Sequence, residues 1–223
     1  MVMKRALVVV VIVLLLIVPA VLIASQNTVI ADYSGERVFS NGPVLINGTL
    51  NATAIPSSED TLYIVVIASD PLYSLLTGML EEVARENGLN PTVVPTPSGT
   101  EDLMKLQFKG RVLVVYVPFR GEEPGLLSKT YLASIVVYYS TSGDILSFIT
   151  TYNSAHTEDT EEFAEKLSEN ANRYLTENLL EGTVGISWWK NLKVHKGYLA
   201  KGDPYREMVL KVRMGVENLL RGS

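Results

Sequence analysis

From Ala6 to Ala24 the chain carries an unbroken run of 19 apolar residues, ALVVVVIVLLLIVPAVLIA. No other feature restricts the fold as strongly, because a helix that is apolar on every side has no face to offer water. At about 1.5 Å per residue such a helix spans roughly the 30 Å hydrocarbon core of a bilayer. Lys4 and Arg5 precede the run and the first charge after it is Asp32. The excess of cations on the N-terminal side places the N-terminus in the cytoplasm and everything after Ser25 outside. The expectation is a single-pass protein of the cell membrane. Pro19 is tolerated near the end of a membrane helix.

Two other fates of this run compete with a retained anchor. A cleaved signal peptide has an apolar region of about 7–15 residues and a small-x-small cleavage site. This run is longer, and Leu22-Ile23-Ala24 matches such a site poorly, although Val29-Ile30-Ala31 fits it. A pilin-like leader cut near Ala6 would leave the apolar helix to pack in a filament core, but a long mixed α/β ectodomain is an unusual cargo for that design.

Residues 26–60 have a polar, β-leaning texture. Asn41-Gly42 and Asn47-Gly48 separate the short β-type runs Glu36–Ser40, Pro43–Ile46 and Thr49–Ile55. Asn-Gly is a strong hairpin signal because both residues accept positive φ. The reading is a β-rich juxtamembrane stalk or meander. Asn47-Gly-Thr and Asn51-Ala-Thr are also glycosylation sequons, in keeping with an exterior location.

After Pro56-Ser-Ser-Glu-Asp60 the pattern changes, and residues 61–223 read as an extracytoplasmic α/β domain with a mostly parallel, mixed sheet in three layers. Thr61–Ala68 (TLYIVVIA) is a continuous β-branched run, as in a strand buried on both faces. Asp70-Pro71 then supplies an N-cap and an N1 proline. Leu72, Leu75, Leu76, Met79, Leu80, Val83 and Ala84 make one helical stripe that stops at Gly88. Thr92–Val94, a capping box at Ser98-Gly-Thr-Glu101 and the strand Arg111–Val117 complete a β-α-β-α-β order, which right-handed crossovers turn into a parallel sheet. Tyr131–Tyr139 is a further strand, and Ile145–Tyr152 is expected to return as its antiparallel hairpin partner. Glu158–Leu180 reads as a long helix, Thr183–Trp188 and Leu192–Val194 as short strands about Lys190-Asn191, and Asp203-Pro204 as the cap of a final helix.

Composition excludes several classes of function. With 47% hydrophobic residues the chain can bury a core. The absence of cysteine excludes disulfides, cysteine-ligated metals and thiol catalysis. A net charge of −5 gives no basic field for nucleic acid. Two glutamines and no cysteine fit a heat-adapted, thermophile source. No Walker A loop, Gly-x-Ser-x-Gly elbow or dinucleotide fingerprint is present, and no cofactor is implied.

In open α/β sheets, ligands bind beyond the carboxyl ends of the strands. Asp70, Ser98 and Glu122 fall there and are the candidate catalytic residues: the two carboxylates as an acid/base or cation-holding pair, the serine as a nucleophile. Capping roles explain Asp70 and Ser98 equally simply, and they are favoured. His156 and His195, the only two histidines, are far apart in sequence and would have to converge to ligate a metal, so no metal site is expected.

Charge is unevenly distributed. Residues 158–181 hold eight acids against two bases, and residues 183–223 eight bases against three acids. Packing of these segments against one another is the simplest account. Within the basic half, Trp188, Trp189, Lys190, Lys193, Lys196 and Tyr198 interleave aromatics with lysines, the composition of a partner or membrane contact. The competing reading is a hairpin with one tryptophan in the core and one on the surface. Together these features favour a membrane-anchored ectodomain that works by binding, as a subunit of a membrane or envelope complex. The alternatives are an anchored hydrolase or metal-dependent enzyme, and the filament subunit.

Overall fold

The computed structural model describes residues 2–40, 45–46, 49–50, 60–97, 100–105, 108, 110–143, 145–155, 159–177 and 182–221. Helix α1 (Val2–Ala24) leads into strand β1 (Asn27–Ser40), and a two-stranded pair, β2 (Leu45–Ile46) and β3 (Thr49–Leu50), follows. Next come β4 (Thr61–Ile67), α2 (Leu72–Glu86), β5 (Asn90–Val94), α3 (Thr100–Met104), β6 (Arg111–Pro124) and β7 (Ser128–Ser140). The chain closes with α4 (Leu146–Ser154), α5 (Thr160–Thr176), β8 (Thr183–Gly197) and α6 (Pro204–Arg221).

The fold is α/β with a mixed sheet. Among the described residues six strands lie in the order β1-β8-β7-β6-β4-β5. β4 runs parallel to β5 and β6, whereas β6, β7, β8 and β1 pair antiparallel in succession. Helices cover both faces. Ile64, Val115, Val137 and Trp189 pack with Leu76 and Leu80 of α2 and Met208 and Val212 of α6. Val65, Val114, Tyr138 and Trp188 pack on the other side with Leu103, Phe148, Phe163 and Leu167. The two-sided burial explains the continuous apolar runs of β4 and β6.

Several sequence readings change. Asn27–Ser40, grouped with the stalk, forms the outer strand of the same sheet, in register from Asn27 opposite Lys196 to Ser40 opposite Thr183. Ile145–Tyr152 is helix α4 rather than the expected strand, because Ile145, Phe148 and Tyr152 fall at helical spacing and Phe148 enters a ring cluster with Tyr116, Tyr152 and Phe163. The two short strands about Lys190-Asn191 are one strand, β8. Asn191, at φ 51°, supplies an extra residue where the pairing steps from Ala133–Leu192 to Ile135–Trp189. Pro118 falls in the equivalent step between β6 and β7, where its missing N–H breaks no ladder bond. The helix expected over Glu158–Leu180 is α5, begun by the Asp159 carboxylate accepting from Glu161 and Glu162 N–H at 2.9 and 3.4 Å.

From Val11 to Ile23 the large apolar side chains of α1 stand exposed, at 44–69%, whereas Ala24 is buried against β8. Among the described residues no helix is long and apolar enough to cross a membrane. The side chains of α1 are described only over residues 11–24, about 21 Å of helix.

Candidate functional site

Unequal strand lengths create the site. β4 ends at Ile67, opposite Tyr116, while β6 continues to Pro124 and turns into β7. The residues beyond the carboxyl end of β4 therefore face a ledge formed by the outer parts of β6 and β7. α6 begins over this ledge, because the Asp203 carboxylate accepts the Tyr205 N–H at 3.0 Å and starts the helix there.

Arg120 is the hub. Its guanidinium donates to the Asp70 carbonyl at 2.5 Å and lies 5.6 Å from the centre of the Tyr205 ring. The Tyr205 hydroxyl donates to Glu122 at 2.7 Å, and Glu122 also forms an ion pair with Lys129 across the β6–β7 ladder. Tyr131 meets Tyr205 edge-on at 5.3 Å. The hydrogen bond from Lys129, then that from Tyr205, holds the Glu122 carboxyl below the usual carboxylate range. Burial, reinforced by Glu122, pushes the Tyr205 phenol up to about 12. At neutral pH the carboxylate is thus ionised and doubly hydrogen-bonded while the phenol keeps its proton. Such a pair braces α6 against the ledge and is poorly suited to taking up a proton.

Asp70 is brought to the same end of the sheet, but its carboxylate faces its own helix. Oδ1 accepts from the Ser74 hydroxyl at 2.7 Å and from the Ser74 N–H at 3.3 Å. It performs a capping task from one residue further out than expected, since α2 starts at Leu72 and Pro71 takes the N-cap position. Ser98, His156, Asn47 and Asn51 lie outside the described residues. His195 Nδ1 is 2.8 Å from the Thr130 hydroxyl. Among the described residues no group of three or more histidines and carboxylates is placed to hold a metal ion.

The aromatic–lysine segment is divided by the sheet. Trp188 and Trp189 point to opposite faces and both are buried, at 2% and 8% exposure, so the expected surface tryptophan is a core residue. Helices on both faces are the reason. Lys190 reaches Asp159 and Glu161 at 3.1 Å each, which joins the start of α5 to β8 as the charge pattern suggests. Its ammonium titrates above the ordinary lysine value because of those two carboxylates, and Asp159 below the ordinary aspartate value because of Lys190. Arg213, by contrast, turns to Glu82 and Glu86 of α2 and to Glu217 on its own helix. Lys193 is half-buried on β8, and Lys196 donates to the Gly202 carbonyl at 2.6 Å. Only Tyr198 of the six contact candidates is exposed, and it sits where α1 meets the domain.

That junction was not singled out from the sequence. The Ala24 carbonyl accepts the Leu199 N–H at 2.7 Å, and the Gln26 carbonyl accepts the Gly197 N–H at 3.0 Å. Gly197 allows the approach, because a Cβ there would lie 2.1 Å from the Ala24 oxygen. The available signal was Leu126-Leu127, an apolar pair inside a glycine-led turn.

No known protein family matches the chain, and no curated protein matches it. Among solved structures, the PelC dodecamer of Paraburkholderia phytofirmans is similar at a TM-score of 0.37 and 10% identity, over 84% of this chain and 97% of that one. A single-substitution variant of the same dodecamer gives a TM-score of 0.35 and 12% identity, over 83% and 99% of the two chains.

Proposed function

We propose that this protein is a single-pass, membrane-anchored ectodomain that acts by binding, as a non-catalytic assembly subunit of a membrane or cell-envelope complex. Residues 6–24 are the anchor, the N-terminus is cytoplasmic and the α/β domain lies outside. The observation that carries the reading is the apolar helix itself, whose large side chains stand exposed from Val11 to Ile23 and whose end is held to the domain through the Ala24 carbonyl. A stretch so apolar and so exposed needs lipid or protein around it. The commitment of Glu122 to Lys129 and Tyr205, and of Asp70 to Ser74, supports a structural role for the carboxyl edge over an acid/base one.

The test is purification of the full chain from native membranes in mild detergent, with companions identified by mass spectrometry. The expected result is a reproducible stoichiometric companion and resistance to alkaline carbonate extraction. Recovery of the protein alone would overturn the assembly role, and extraction by carbonate would overturn the anchor.

A further inference from the structure

Two turns surround the point where α1 enters the domain, and they carry the most exposed large apolar side chains described outside α1. Leu126 is 92% exposed in the β6–β7 turn, and Leu199 and Tyr198 are 63% and 57% exposed just after β8. These turns are locked to each other and to the helix end. Tyr198 N–H donates to the Leu127 carbonyl at 3.2 Å and its hydroxyl to the Gly125 carbonyl at 2.8 Å. Leu199 N–H holds the Ala24 carbonyl, and Asn27 donates to the Lys201 carbonyl at 2.9 Å. Two leucines held outward in rigid, hydrogen-bonded turns are costly in water.

We infer that the face bearing Leu126, Tyr198 and Leu199 rests on the bilayer that α1 enters, its two leucines dipping into the headgroup boundary and fixing the domain's tilt. The occupant follows from the junction: side chains rigidly joined to Ala24 lie at the depth where an apolar helix ending at Ala24 leaves the hydrocarbon. Tyrosine favours that layer because its ring is apolar and its hydroxyl is satisfied there. Lys129, Lys196 and Lys201 lie at the same end of the sheet with Glu122, Glu123 and Asp203, so apolar contact rather than net charge drives the seating. Interfacial residues of this kind enter about 5–10 Å. The inference rests on the proposed anchoring by α1.

The chain has no cysteine, so single labels are simple to place. Leu126→Cys, Leu199→Cys and Val38→Cys would each carry an environment-sensitive fluorophore in the full chain. Val38, 48% exposed, lies near the far end of β1, roughly 40 Å of strand from Gln26. The proteins would be reconstituted in phosphatidylcholine–phosphatidylglycerol vesicles containing a lipid with a nitroxide near its headgroup. The expected result is a blue shift and several-fold stronger quenching at 126 and 199 than at 38. If 126 and 199 match 38 in protein that resists carbonate extraction, the anchor stands and the seating is refuted. Shielding from aqueous iodide without quenching by the lipid nitroxide would mean that a protein covers the patch, which also refutes it. Carbonate extraction of the chain would remove anchor and seating together.

Discussion

Gly35 of β1 lies under the indole of Trp188, and a Cβ added to Gly35 would fall 2.3 Å from the ring. The guanidinium of Arg37, two residues on, sits 5.6 Å from the same ring. β1 is therefore packed into the core layer shared with α5, as well as hydrogen-bonded along the sheet edge. Gly35→Ala forces the indole or the strand to move, and overpacking of this kind costs about 1–3 kcal/mol. Urea unfolding followed by tryptophan fluorescence should show a lower midpoint. An unchanged midpoint would mean that β1 contributes little to the stability of the domain.

Arg213 links α2 to α6 through Glu82 at 3.2 Å, Glu86 at 2.5 Å and, within α6, Glu217 at 2.7 Å. These carboxylates push its titration further above the ordinary arginine value. Arg213→Ala removes the cation that three carboxylates share and leaves them to repel one another. Arg85→Ala, which breaks one exposed pair with Glu81, is the comparison. Thermal unfolding should show a larger drop in Tm for Arg213→Ala, and the gap should shrink as salt is raised. Equal drops would show that the network adds nothing beyond a single surface pair.

The parts of the fold that local pattern determines were legible. The β-branched runs of β4 and β6 and the stripes of α2 and α6 each signal their element within a dozen or so residues. Of β1 only the run Glu36–Ser40 was legible as β; its place in the main sheet was not, because its partner β8 lies more than a hundred residues away and its own sequence is too polar to announce a sheet position. The bulge at Asn191 was hidden for the same reason, since it exists only relative to Ala133 and Ile135 on β7. At the candidate site, Asp70 and Glu122 were placed at one end of the sheet by the rule of carboxyl ends. Their partners differ in visibility: Ser74 is a local capping partner, whereas Lys129 and Tyr205 meet Glu122 only through tertiary structure. The tryptophans show the limit of alternation, which separates two faces but does not say whether both are covered.

Burial of the Tyr205 phenol, reinforced by its hydrogen bond to Glu122, gives the domain an alkaline limit. In the unfolded chain a tyrosine ionises near pH 10, whereas in the folded protein Tyr205 holds its proton to about 12. Between those values the unfolded state has released a proton that the folded state retains, so stability falls as pH rises. The contribution is fully present below about pH 10. Two units correspond to at most about 2.7 kcal/mol, and less here because Glu122 is 40% exposed. The stability difference between the native chain and Tyr205→Phe should therefore narrow from pH 10 to pH 12. A difference that stays constant would show that burial and Glu122 do not hold the phenol proton in the folded state.

Gly197 tests the junction between helix and domain. Any side chain at that position meets the Ala24 carbonyl, whose oxygen would lie 2.1 Å from the new Cβ, and the Ile23 carbonyl at 2.7 Å. These are backbone atoms that cannot swing aside like a flexible side chain, so Gly197→Ala must push the end of α1 away from β8. The Ala24–Leu199 and Gln26–Gly197 hydrogen bonds weaken with it. The core around Trp188 and Trp189 is far along β8 and should be little affected, so near-UV circular dichroism of the indoles should be retained. The segment Ala24–Asn27 becomes accessible instead. Limited proteolysis of reconstituted vesicles should release the domain several-fold faster from Gly197→Ala than from the native chain. Equal release rates, with the tryptophan signal intact, would show that the junction holds without the close approach that Gly197 permits.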